Sequence, residues 1–122
     1  MEPLPLRTNF VYACELDRVV DADTLDLQID LGFHTWRHER IRLFGIDAPE
    51  LRGPDRAKGI AAKKAVEQWF IDYHRQIVLQ TIADTQGKYG RYLGVIAAVN
   101  PQGHAIQLNE WLVKKGWALK VE

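Results

Sequence analysis

The chain has 122 residues, of which 47% are hydrophobic and 26% charged, and it carries a single cysteine, Cys14. This length and composition are typical of one globular domain, residues 1–122, whose hydrophobic core needs no disulfide framework. The formal net charge is zero, so global charge gives no general attraction to nucleic acids, and no apolar run is long enough to span a bilayer.

The N-terminal half of the sequence predicts three strands in a meander, at residues 8–20, 24–31 and 35–44. The first is rich in β-branched and aromatic side chains, and the other two alternate between apolar and polar side chains. The second strand thus places Leu25 and Asp26 on opposite faces, and the third does the same with Ile41 and Arg42.

The pattern then changes to helical spacing. Apolar side chains such as Val66 and Phe70 recur every three or four positions between residues 55 and 73. Gly59 is a weak point of this helix, because glycine costs about 1 kcal/mol relative to alanine in a helix interior. Two further strands and a short helix follow, at residues 77–82, 91–99 and 109–115.

This order of elements predicts a mainly β fold with helices, of the α+β class. We expect a five-stranded OB-type barrel with one helix between strands 3 and 4 and a short C-terminal helix. A five-stranded α+β sandwich is the alternative architecture, because strand order does not follow from one sequence.

Three short segments combine the residue types of a phosphodiesterase: D-A-D-T at residues 21–24, R-L-F-G-I-D-A-P-E at residues 42–50, and K-Y-G-R at residues 88–91. Each segment alone is compatible with an ordinary turn. Together they offer Asp23 and Asp47 as oxygen ligands for a hard cation. Arg42 and Arg91 add planar forks that grip phosphate oxygens in pairs. Glu50 can face the same ion or orient a water beside it.

The three motifs resemble those of the staphylococcal nuclease (thermonuclease) family, in the same order and at similar spacing. A weaker similarity continues at residues 108–113 and Gly116, so the resemblance covers about residues 11–121. It implies an OB-type barrel and a calcium-dependent nuclease that hydrolyses DNA or RNA and leaves 3′-phosphate and 5′-hydroxyl ends.

The resemblance also implies individual roles for the motif residues. The calcium ligands correspond to Asp23, Asp47 and the backbone carbonyl of Ala48. The catalytic residues, which are two phosphate-binding arginines and a glutamate that acts on the attacking water, correspond to Arg42, Arg91 and Glu50. The residues expected behind the metal ligands or near the substrate correspond to Asp21, Lys88 and Tyr89.

Two departures from the family pattern affect these expectations. Ala22 replaces a usual glycine, so a positive φ at this position would be strained. Up to Glu122 the sequence has no counterpart of the family's base-stacking tyrosine or third helix. We therefore expect substrate binding to be mainly electrostatic, with help from a basic run that we interpret as either a solvated helix face or a phosphate funnel: Arg52, Arg56, Lys58, Lys63 and Lys64.

The main functional alternative is a catalytically silent module that binds nucleic acid or protein on the same fold. We expect a monomer with DNA or RNA as its substrate and no membrane association. The N-terminus shows no export signal, which predicts a cytoplasmic protein and leaves a secreted mature form open.

Overall fold

A computed structural model describes residues 10–73, 76–82 and 92–121 of the chain. Its elements in chain order are β1 (Val11–Asp21), β2 (Thr24–Asp30), β3 (Trp36–Leu43), β4 (Ile46–Asp47), α1 (Arg56–Asp72), β5 (Gln76–Thr81), β6 (Tyr92–Val99), β7 (Ala105–Gln107), α2 (Leu108–Lys114) and β8 (Leu119–Lys120). Neither of the two described α-helices has the length and apolar character that a membrane crossing would need.

Five strands close into a barrel. The main sheet has the order β3-β2-β1-β5-β6-β7, and β3 also pairs with β6 in parallel, which joins the two sides of the sheet. The neighbours β1, β2 and β3 pair antiparallel, as the predicted meander requires. The predicted OB-type barrel is therefore confirmed, and the sandwich alternative is wrong.

Apolar side chains from the strands and from one face of each helix fill the interior. Leu25, Ile41 and Ile96 are fully buried in the barrel, and α1 contributes Val66 and Trp69 to the same core. The apolar face that the sequence predicted for α1 is confirmed. Burial of this core removes apolar surface from water and is the main stabilising contribution to the fold.

The thiol of Cys14 is part of this core. It is almost fully buried in β1, and burial, with a smaller contribution from Glu15, raises its pKa to about 12. Since the thiolate is the nucleophilic form of cysteine, this thiol is inert at neutral pH, as its apolar surroundings in the sequence suggest.

Three short strands were not predicted. β7 adds to the edge of the sheet beside β6, and β4 pairs with β8 near the end of the chain. Each has only two or three residues, too few for a periodic pattern to emerge. Their position is set by pairing with distant segments instead, and the β4–β8 pair matters for the site described next.

Candidate active site

The turn between β1 and β2 positions Asp23. Asp21 pairs with Thr24 across this turn, and Ala22 packs in the core without a positive φ, so the strain expected from replacing glycine is absent. The backbone carbonyl of Asp23 accepts a 2.8 Å hydrogen bond from the backbone N–H of Leu43. The turn is therefore fixed to the end of β3.

The carboxylate of Asp23 connects this turn to the segment that follows β4. The side chain of Asp23 is only 7% exposed. Its Oδ2 accepts a 3.0 Å hydrogen bond from the backbone N–H of Ala48, and its Oδ1 accepts one of 3.2 Å from the hydroxyl of Thr24. Asp23 and Ala48 lie 25 positions apart in the sequence, so their contact depends on the closed barrel.

The guanidinium of Arg42 lies between two carboxylates. Its Nη1 is 3.4 Å from Oδ2 of Asp23, and its Nη2 is 3.2 Å from Oδ1 of Asp47. Nη2 also lies 3.4 Å from the backbone carbonyl of Ile46. A guanidinium carries five N–H groups, so these contacts leave donors for a further anion. One positive charge is thereby held next to two negative ones at the edge of the barrel.

Asp47 is held by the unpredicted β4–β8 pair. Asp47 pairs with Leu119 and Ile46 with Lys120, and the backbone N–H of Val121 donates a 2.8 Å hydrogen bond to Gly45. The side chain of Asp47 is nevertheless 61% exposed. Its backbone is therefore fixed while its carboxylate stays open to solvent and to ligands.

Glu50 lies in the segment between β4 and α1, with its side chain exposed to solvent. The backbone of this segment is pressed against Gly59 of α1. A Cβ atom on Gly59 would lie 2.2 Å from the backbone oxygen of Glu50 and 3.0 Å from that of Pro49. The interpretation of Gly59 as a weak point of the helix is therefore wrong, because only glycine permits this close approach.

Asn109, at the start of α2, connects the chain after β3 to β6. Its Oδ1 accepts a 3.1 Å hydrogen bond from the N–H of Ile96. Its Nδ2 donates to the backbone carbonyls of Phe44 (2.9 Å) and Gly94 (3.2 Å). Because Phe44 follows the strand that carries Arg42, this buried amide stabilises the backbone of the site.

Replacing Asn109 with alanine should lower the free energy of unfolding by about 3 kcal/mol, because a buried N–H loses its partner and two carbonyls lose a donor. Asn100→Ala is the matched control, since the Asn100 side chain also makes two hydrogen bonds to backbone, but in an exposed turn. Urea denaturation of both variants measures the difference. Equal losses in the two variants would contradict a special contribution from the buried amide.

The remaining predicted site residues fall into two groups. Asp21 lies at the end of β1, next to the turn that carries Asp23. Lys88, Tyr89 and Arg91 lie outside the described residues, so their roles stay predictions. In the basic run the side chains are mostly exposed, and the guanidinium of Arg56 donates a 3.0 Å hydrogen bond to the carbonyl of Leu51.

The acidic side chains near Arg42 provide few ligands for a metal ion. Within residues 10–73, 76–82 and 92–121, no group of three or more histidine, cysteine, aspartate or glutamate side chains is close enough to hold a metal ion. Asp23 and Asp47 each contact the guanidinium of Arg42 instead. A cation at this position would thus take these two carboxylates, backbone oxygen such as that of Ala48, and water.

Other polar residues near the site were not singled out from the sequence. The carboxylate of Asp26 is buried and contacts both Arg18 and Arg40. The only feature of the sequence that pointed to this group was the position of Arg40, two residues before Arg42 on the same face of the predicted strand.

The profile of a family described as staphylococcal nuclease homologue matches residues 40–122, which is more than half of the chain. The match includes Arg42, Asp47 and Glu50, whereas Asp23 lies before it. A comparison with curated proteins finds no match. With the closed barrel and the two motifs inside the matched range, the chain belongs to the staphylococcal nuclease homologue family.

Proposed function

We propose that the chain is a calcium-dependent nuclease that hydrolyses phosphodiester bonds of DNA or RNA and leaves 3′-phosphate and 5′-hydroxyl ends. One observation carries the proposal: the guanidinium of Arg42 lies against the carboxylates of both Asp23 and Asp47. Phosphodiester hydrolysis develops negative charge on the phosphate oxygens, and positive groups fixed in advance stabilise that charge. The membership of the family agrees with such chemistry.

In this proposal the scissile phosphate binds to N–H groups of Arg42 that do not contact the aspartates. Glu50 accepts a proton from a water molecule while the water oxygen bonds to phosphorus. The P–O5′ bond breaks, and the 5′-oxygen takes up a proton from solvent. Arg91 is the proposed second phosphate fork, because it directly precedes Tyr92, which pairs with Ile41 next to Arg42.

The remaining proposed contacts are with substrate and with the metal ligands. Lys88 and Tyr89 belong to the same motif as Arg91, and we propose that they contact the substrate. Asp21 lies beside the turn of Asp23, and we propose that it supports the metal ligands from behind.

The donor set fits calcium. Calcium takes six to eight oxygen ligands in flexible geometry, and water readily supplies those that the protein does not. Asp23, Asp47 and the backbone carbonyl of Ala48 are the groups that would hold it, and the exposed carboxylate of Asp47 leaves room for water. Calcium supplies positive charge beside the phosphate when bound.

Activity should therefore require calcium. We expect the protein to nick plasmid DNA and to cleave a labelled single strand in calcium, and to lose this activity in chelator. Asp23→Asn and Asp47→Asn should weaken calcium binding, measured by titration calorimetry, because each removes a charged oxygen ligand. Asp72→Asn is the matched control, since Asp72 is the last residue of α1 and is not among the proposed calcium ligands.

The chemical nature of the product ends and the effect of chelator distinguish a calcium-dependent nuclease from a silent binding module. Cleavage that leaves 3′-phosphate ends and stops in chelator supports the nuclease. Undiminished cleavage in chelator would contradict the metal assignment. Binding of nucleic acid without any cleavage would instead support the silent binding module on this fold.

A further inference from the structure

Asp26 and two arginines form a cluster on the β1–β2–β3 face, which we call the Asp26 cluster and define as Arg18, Asp26 and Arg40. The side chain of Asp26 is 7% exposed, yet the sequence places it opposite the core-facing Leu25. Nε of Arg40 donates to Oδ1 of Asp26 at 2.8 Å, and Nη2 of Arg40 lies 3.2 Å from Oδ2. Nε of Arg18 donates to the same Oδ2 at 3.2 Å.

The cluster carries an excess of positive charge. The hydrogen bond from Arg40, with a smaller contribution from Arg18, holds the pKa of Asp26 below its usual value, although burial opposes this shift. One ionised carboxylate therefore faces two guanidiniums. Two other acids lie near the cluster: Asp17 contacts His38 at 3.0 Å, and the charge of Asp21 acts on Arg40.

Both arginines keep donors for a further ligand. The side chains of Arg18 and Arg40 are 64% and 46% exposed, so their heads reach solvent. Each guanidinium has five N–H groups, and the contacts to Asp26 use Nε of Arg18 and Nε and Nη2 of Arg40. A buried carboxylate thus fixes two exposed guanidiniums in place, which lowers the entropy cost of binding an anion between them.

The cluster lies one step along β3 from the proposed active site. Arg40 and Arg42 are two positions apart on one strand. Arg40 contacts Asp26, within β2, and Arg42 contacts Asp23, directly before β2. Residues two apart on one strand face are separated by about 6.6 Å. This is similar to the spacing of neighbouring phosphates along a single nucleic acid strand.

We propose that Arg18 and Arg40 form a second phosphate subsite, which binds the phosphate adjacent to the one held by Arg42. This inference rests on the proposed nuclease function and makes its substrate class more specific. The ligand is a strand with at least two consecutive phosphodiesters, laid along the outer face of β2 and β3, rather than a nucleotide with one phosphate.

Binding of a labelled single-stranded oligonucleotide in chelator tests the subsite without cleavage. Arg18→Gln should weaken binding, and the double variant with Arg40→Gln should do so by about tenfold. The slope of log affinity against log salt should become shallower by about 0.7 for each arginine that contacts a phosphate. Arg37→Gln is the matched control, since Arg37 lies on the same strand with its side chain on the other face, where it contacts Glu39 and Tyr92.

Two further measurements make the result decisive. Arg18→Gln leaves Asp26 bonded to Arg40, so this variant should fold, and thermal unfolding checks this. A single methylphosphonate next to the scissile position removes one phosphate charge, and it should weaken binding to the wild-type protein more than binding to the double variant. Equal losses in both proteins, or salt slopes that match Arg37→Gln, would overturn the subsite.

The test also separates this inference from the proposed function. If the wild-type protein cleaves nothing in calcium while the arginine variants still change the salt slope, the subsite stands and the nuclease proposal fails. If the wild-type protein cleaves and the slopes do not change, the reverse holds.

Discussion

Arg42→Lys should lower turnover on a nucleic acid strand by on the order of 10²-fold or more, comparable to the loss of one donor from an oxyanion-binding site. The guanidinium reaches Asp23 with one terminal nitrogen and Asp47 with the other. A lysine keeps the charge, but its single ammonium cannot span the two carboxylates and also present a fork to phosphate. The loss should appear in kcat at saturating calcium.

Arg37→Lys is the matched control for this experiment. Arg37 lies on the same strand, its side chain is 58% exposed, and its contacts are with Glu39 and the ring of Tyr92 rather than with the aspartates. We expect this variant to retain turnover. Thermal unfolding should show that both variants are folded. Near-normal turnover of Arg42→Lys would mean that Arg42 acts only as a distant charge.

The site residues that could be predicted from the sequence are those whose chemistry is contained in short segments. Asp23, Arg42 and Asp47 fall within motifs of a few residues, and the alternation around Arg42 already placed it outside the barrel core. The contacts among them could not be predicted from periodicity, because Asp23 meets Ala48 only when the barrel closes.

The parts of the site that were missed depend on long-range pairing or on the absence of a side chain. β8 holds the short strand that contains Asp47 through two residue pairs, and strands this short leave no periodic signal in the sequence. Asp26 was placed on the face opposite Leu25, but its burial and its contacts with two arginines were not predicted. Helix propensity, a local property, gave the wrong interpretation of Gly59, since the reason for glycine lies in the segment around Glu50.

The same contact at Gly59 leads to a second large expected effect. In an ordinary helix interior, Gly→Ala stabilises by about 1 kcal/mol. Here the added Cβ would lie 2.2 Å from the backbone oxygen of Glu50 and 2.7 Å from its carbonyl carbon. No side-chain rotation can relieve a contact between backbone atoms and Cβ, so either α1 or the segment of Glu50 must move.

We therefore expect Gly59→Ala to lower the free energy of unfolding by about 1–3 kcal/mol, the usual cost of overpacking, despite its favourable helix propensity. Turnover should fall more than stability suggests, because a shift of about 1 Å at a catalytic group can cost on the order of 10²-fold. If the segment of Glu50 moves, the adjoining Ala48 carbonyl, a proposed calcium ligand, moves with it, so calcium affinity should fall as well. Urea denaturation, calcium titration and kcat at saturating substrate measure the three effects separately.

Ala65→Gly isolates the contribution of helix propensity. Ala65 lies further along the same helix, away from Pro49 and Glu50, and its replacement should cost about 1 kcal/mol of stability without loss of turnover. If Gly59→Ala is instead more stable than the wild-type protein and equally active, the helix and the Glu50 segment separate without cost. Gly59 would then have no part in positioning Glu50. A loss of stability together with a loss of kcat is the outcome expected from the close approach of the Glu50 backbone to Gly59.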